Sequence, residues 1–187
     1  MKHIRHALRI LLVTNGLVLL AWAMLGPIYA IFVEWIWGDL MDASIAGWLF
    51  ALSAGITSLV FGRIADGIKT KQSVLALGYL IMGIWFFLYL WVDSIAKLFV
   101  VQIFIGLGEA IYSPAFDALY SESVHKKQSG YEWWLWECLN YFSIALWAFL
   151  GGIIVTQFSF DAIFIIMWSF CFCSSIYLYL VSKKVLH

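Results

Sequence analysis

Long apolar stretches alternate with short polar breaks along this chain. Predominantly apolar runs cover roughly residues 9–33, 44–61, 73–92, 97–120, 132–156 and 161–181. Each approaches the ~20 residues that a helix needs to cross a hydrocarbon core of about 30 Å. In lipid the backbone must satisfy its own hydrogen bonds, so each run is predicted to be an α-helix. The breaks are short, so helices adjacent in sequence are expected to be adjacent in space. The pattern predicts an all-α membrane protein with six transmembrane helices in a single domain, residues 1–187.

Composition supports lipid as the main solvent. The chain is 64% hydrophobic and only 12% charged, against about 45–50% and about 25% for an ordinary soluble domain. There are two prolines and no Ser/Gly-rich linker, so no second, soluble domain is expected. No basic surface points to nucleic acid; membrane lipid is the expected surrounding. Cys138, Cys171 and Cys173 lie inside apolar runs and read as free structural thiols. Cys171 and Cys173 are two residues apart and should point to different sides of a helix.

The placement of charge predicts the orientation. Lys2, Arg5 and Arg9 precede the first run, and Arg63, Lys69 and Lys71 separate the second from the third. Lys126 and Lys127 separate the fourth from the fifth, and Lys183 and Lys184 follow the sixth. Ten of the eleven Lys and Arg residues thus fall on one side, with Lys97 alone on the other. The opposite loops carry Glu34, Asp39, Asp42, Asp93 and Asp161. Positive charge stays in the cytoplasm, so the expected site is the cell (inner) membrane, with both termini cytoplasmic. The N-terminal "MKHIRHALRI", its apolar run and the A-x-A of Ala21–Ala23 resemble a secretory signal. The run continues to Val33 without pause, however, and cleavage would spoil the charge alternation.

Pro27 and Pro114 fall near the eighteenth residue of the first and fourth runs. Proline inside a helix removes a hydrogen bond and kinks it. The two runs cross in opposite senses, so the kinks should sit near opposite faces. An inverted three-plus-three repeat, with the first and fourth spans equivalent, produces that arrangement.

Ionisable groups within the spans are costly and usually face protein or a water-filled cavity. On the fourth span Gln102, Gly106, Glu109, Ser113 and Asp117 fall on one helical stripe about 80° wide. On the fifth, Glu137, Asn140, Trp147 and Gly151 form another. Asp117 and Glu137 should lie at similar depth, inward of the midplane, and Glu109 nearest the centre. Glu109 is therefore the leading candidate for a proton or substrate site, followed by Asp117, Glu137, Gln102 and Asn140. Asp117 and Glu137 alternatively pair with Lys126, Lys127 or loop backbone, and Glu132 is expected at the interface. Asn15, Trp22 and Tyr29, spaced by seven, share one face of the first span. No basic residue lies at mid-depth, so a cationic or neutral solute fits better than an anion. Trp35, Trp37, Trp91, Trp133 and Trp134 sit at span ends, where Trp anchors to the interface.

The loop "GRIADGIKTK", Gly62–Lys71, resembles the segment between helices 2 and 3 of the major facilitator superfamily, whose pattern is G-x-L-A-D-R-x-G-R-K. Gly62, Ala65, Asp66 and Lys71 match, and Ile64 stands for the Leu. Gly67, Lys69 and Thr70 depart from the Arg, Gly and Arg of the pattern, while Arg63 keeps the basic character. The fourth span resembles the family's R-x-x-q-G-x-g at Gly106 and Gly108. Gln102 replaces the Arg there, so no proton relay built on that Arg is implied. "FLGG", Phe149–Gly152, resembles the close of the family's helix 5, and the glycine-proline part of the antiporter signature is absent. The resemblance implies a gating motif of Gly62, Arg63, Asp66 and Lys71. In the family the matching Asp helps to lock the cytoplasmic gate against a helix end in the other half, where a carboxylate is attracted to a helix N-terminus. Helices 1 and 4 line the family's cavity.

Usual members have twelve spans in two six-helix halves. The resemblance covers the whole chain and matches one such half, the N-terminal one. It implies a secondary active transporter moving a small solute by alternating access, proton-coupled and acting as a homodimer of half-transporters. The alternative is a half that assembles with a separately encoded six-helix partner, without transport of its own. No G-x-S-G or H-E-x-x-H motif occurs, and His3, His6, His125 and His187 all lie in segments assigned to the cytoplasm. Catalysis, a cofactor and a metal site are not expected.

Overall fold

The computed structural model describes residues 2–65, 70–125 and 129–181, with side chains over 6–61, 70–125 and 129–181. These form α1 (Lys2–Leu25), a 3-10 turn (Gly26–Ile28), α2 (Tyr29–Trp35), α3 (Leu40–Ala65) and α4 (Lys71–Leu88). A second 3-10 turn (Tyr89–Trp91), α5 (Ile95–Ser123), α6 (Ser129–Gln157) and α7 (Phe160–Leu180) follow. Six helical segments are long and apolar enough to cross a membrane, α1 and α2 together forming the first. They coincide with the six predicted spans, most extending a few residues beyond them. Pro27 lies in the 3-10 turn that separates α1 from α2; it cannot donate to the Ala23 carbonyl, so regular α-hydrogen bonding stops there. Pro114, in contrast, lies inside a continuous α5.

Helix ends are fixed locally. Before α3, the Asp42 N–H donates to Asp39 Oδ1 (2.9 Å) and the Asp39 N–H to Asp42 Oδ2 (3.0 Å), a reciprocal arrangement of the capping-box kind. Ser159 caps α7 by accepting from the Ala162 N–H.

Helices α1, α4, α5 and α7 form the centre of the bundle. The buried core lies among them and includes Leu11, Phe32, Tyr79, Phe86, Ile105, Leu119, Phe164 and Met167. The principal packed pairs are α3 with α5, α4 with α5 and α7, and α1 with α5, α6 and α7. Exchanging the first span with the fourth, the second with the fifth and the third with the sixth leaves this set of pairs unchanged. Three of the crossings need glycine, one of them at Gly78 of α4, where a Cβ would overlap Tyr112 Cβ of α5. A Cβ on Gly106 of α5 would overlap the Ser53 hydroxyl of α3, and one on Gly151 of α6 would overlap the Met24 carbonyl of α1. Small residues permit such close approach between helices in lipid.

The flanking helices α3 and α6 are the least covered. Only 11% and 6% of their apolar windows are buried, against 39–44% for the other four. Trp48 and Leu59 of α3 and Tyr141, Phe142 and Phe149 of α6 stand well exposed.

Candidate functional site

The polar residues singled out within the spans fall into three groups along the bundle. The first lies in the half remote from the end where α1 begins and α7 finishes. Here Trp22 and Tyr29, one on each side of the Pro27 break, meet Gln102 of α5. Gln102 Nε2 donates to the Tyr29 hydroxyl (2.6 Å) and to that of Tyr89 (3.0 Å), so one amide ties the first, third and fourth spans. Beside it is a cavity of about 230 Å³ lined by Trp22, Tyr29, Phe50, Phe86, Tyr89 and Gln102, among others. The Trp22 ring meets Phe50 and Phe86 edge-on at 5.2 and 5.5 Å. Its indole N–H is buried and has no partner among the described residues.

The second group lies at mid-depth. Glu109 is the middle residue of α5 and is half-buried, next to Tyr112 and close to Tyr79 and Cys171. The Tyr79 and Tyr112 rings are 5.1 Å apart. The Tyr79 hydroxyl donates to Asn15 Oδ1 at 3.0 Å. A line of polar groups therefore runs from α5 through α4 to α1, with a carboxyl at one end and an amide at the other.

The third group opens to the surface. Asp117 and Glu137 are exposed and Asn140 is half-buried. Among the described residues neither carboxylate has an ion-pair partner; Lys126 and Lys127 lie outside the described residues. A 29-residue helix is about 43 Å long and overhangs a core of about 30 Å by about 6 Å at each end. Asp117, six residues before the end of α5, and Glu137, eight after the start of α6, thus fall just inside the hydrocarbon boundary. The α5 stripe changes from buried at Gln102 and Gly106 to exposed at Asp117. At Gly106 the stripe is covered by α3, whose Ser53 and Phe50 lie against it.

Of the loop motif, Asp66 lies outside the described residues, as do the side chains of Gly62 and Arg63. Lys71, which begins α4, forms an ion pair with Glu122 near the end of α5. At the same end Glu132, the fourth residue of α6, is buried. Its carboxylate accepts from the His125 backbone N–H (2.7 Å) and lies 2.9 Å from the His125 ring Nδ1. The Tyr120 hydroxyl donates to the Glu132 carbonyl, so α5 and α6 are clamped across their turn. Cys171 is buried, Cys138 and Cys173 are exposed, and all three are free. Of the tryptophans expected at span ends, Trp35, Trp37, Trp91 and Trp134 are exposed, while Trp133 packs edge-on against Tyr120.

Sequence reading missed Tyr79, Tyr89, Tyr112 and Gln72. The three tyrosines suggest interface anchoring, and Gln72 follows Lys71 in a charged break and reads as a loop residue; the burial of all four depends on helix rotation. Gln72 Nε2 donates to the carbonyls of Leu178 (2.6 Å) and Val181 (2.9 Å) where α7 ends.

Comparison with curated proteins gave no significant match. The family model of the Major Facilitator Superfamily, however, matches residues 11–186, nearly the whole chain, and the six apolar helices fit one half-bundle of that family. With a transporter family's pattern carried along its full six-helix length, this multi-pass membrane protein belongs to the Major Facilitator Superfamily.

Proposed function

We propose that the chain is a secondary active transporter that carries a cationic or neutral small solute by alternating access, coupled to protons through Glu109, with two copies closing around one pathway. The observation that carries this reading is the graded polar line on α5. It begins buried at Gln102, reaches a half-buried carboxyl at the helix centre and emerges at the exposed Asp117. Carboxylates inside the hydrocarbon boundary belong against protein or water rather than lipid. A second six-helix unit laid over α3, α5 and α6 would turn that face into the wall of a cavity. A twofold axis is the simplest way to supply one.

The inverted repeat is part of the same proposal; the exchange symmetry of the principal packed pairs supports it, while the lesser contacts of α2 with α3 and α6 with α7 have no comparable counterparts. The orientation with both termini cytoplasmic belongs to the same proposal and rests on the charge asymmetry of the loops. Lys97, the one basic residue on the other side, is offset by Asp93, whose carboxylate accepts from Lys97 Nζ at 2.6 Å. That hydrogen bond holds the exposed Asp93 carboxyl below its ordinary range. The gate role of Asp66 rests on the loop's resemblance to the family pattern.

Glu109→Gln tests the coupling. In proteoliposomes the unmutated chain should accumulate substrate when a pH gradient is imposed. The variant should retain exchange of substrate across the membrane but lose accumulation. Accumulation equal to that of the unmutated chain would remove Glu109 from the mechanism.

A further inference from the structure

The cavity between α1, α3, α4 and α5 has a composition that selects a chemical class of ligand. No charged side chain lines it. Glu109 is seven residues further along α5 than Gln102, about 10 Å away. The polar groups at the wall are mostly donors. Tyr29 and Tyr89 each accept from Gln102 Nε2, and among the described residues no acceptor takes either hydroxyl proton. The Trp22 N–H is buried beneath the wall, out of a ligand's reach. A buried hydroxyl donor left unmade is costly, and a ligand acceptor would remove that cost. An ammonium ion brings only donors to this wall and finds no carboxylate to replace its water. An anion finds no cation. The volume, about 230 Å³, lies below the range of about 300–1,000 Å³ that suits drug-sized ligands, so it fits a single ring better than a fused system. Edge-on aromatic walls favour such a ring.

We propose that this cavity binds a neutral, single-ring molecule through a hydrogen-bond acceptor, such as a carbonyl or ring nitrogen, received by the Tyr29 and Tyr89 hydroxyls. Describing the ligand as cargo rests on the transport reading; binding itself does not.

The test is a fluorine NMR titration of the full chain in lipid nanodiscs, corrected with empty nanodiscs. Three probes are compared: 4-fluoroacetophenone, its oxygen-free shape mate 4-fluoroethylbenzene, and 4-fluorobenzylammonium. The ketone should bind about fivefold more tightly than the hydrocarbon, the worth of one net hydrogen bond, and more tightly than the ammonium. Tyr29→Phe should bring the ketone and hydrocarbon within about twofold, and Tyr89→Phe, which removes the other hydroxyl, should also reduce the preference. Equal binding of ketone and hydrocarbon would mean an apolar slot that a lipid tail fills, and would overturn the proposal. Tighter ammonium binding, or a ketone preference that survives both substitutions, would do the same. Should a variant fail to fold, the ranking of the three probes on the unmutated chain still decides. Ketone binding without any transport leaves this site standing and removes the transport reading. Proton-driven uptake of other solutes without ketone preference does the reverse.

Discussion

Two adjacent glycines show how much a single position decides. Gly151 faces α1 so closely that a Cβ would overlap the Met24 carbonyl, whereas nothing lies within 4 Å of a Cβ on Gly152. Overpacking a tight contact costs about 1–3 kcal/mol, while replacing an exposed helical glycine with alanine gains roughly 0.5–1 kcal/mol. Gly151→Ala should therefore lower the thermal midpoint in detergent, and Gly152→Ala should leave it unchanged or raise it. Equal effects would contradict the α1–α6 packing. The "FLGG" motif announces both glycines without distinguishing them. The same holds for other candidates: Asn15, Gln102 and Glu109 were visible as polar residues in apolar runs, because such residues need a reason to be there. Their partners Tyr79, Tyr89 and Tyr112 were not, because a tyrosine suits the lipid interface as well as a buried polar line.

At the scale of elements, length and apolarity made all six spans legible, since a helix in lipid is marked by what it lacks. Their mutual arrangement was less legible. A helix apolar all round carries no amphipathic stripe to say which face turns inward, and only glycines and isolated polar groups mark direction. Proline was an uneven guide: Pro27 coincides with a change to 3-10 geometry, and α5 runs through Pro114 as regular helix. Gln72 illustrates a tie that connects elements. From the start of α4 it donates to two carbonyls at the end of α7, acceptors that a finished helix otherwise leaves open. Gln72→Leu should destabilise the bundle by about 1–3 kcal/mol, the cost of buried acceptors left unmet. Hydrogen exchange should show the loss concentrated at the end of α7. Unchanged protection there would count against this tie.

At the scale of the molecule, the flanks α3 and α6 and the carboxylates Asp117 and Glu137 are exposed in a single copy, and lipid alone serves such carboxylates poorly. The account places a second copy and the transport pathway there, with Asp66 as a latch at the cytoplasmic end. Asp66→Asn should make alkylation of Cys138, exposed next to Glu137, insensitive to added substrate, with Cys173→Ala as background. Substrate-sensitive labelling like that of the unmutated chain would remove the latch. The most direct test of the central claim is the mass of the protein released from lipid nanodiscs in native mass spectrometry. The account predicts a species of twice the chain's 21.4 kDa, weakened by a bulky substitution at Glu137. A stable single chain of 21.4 kDa would contradict the homodimer and assign the open face to a different six-helix partner.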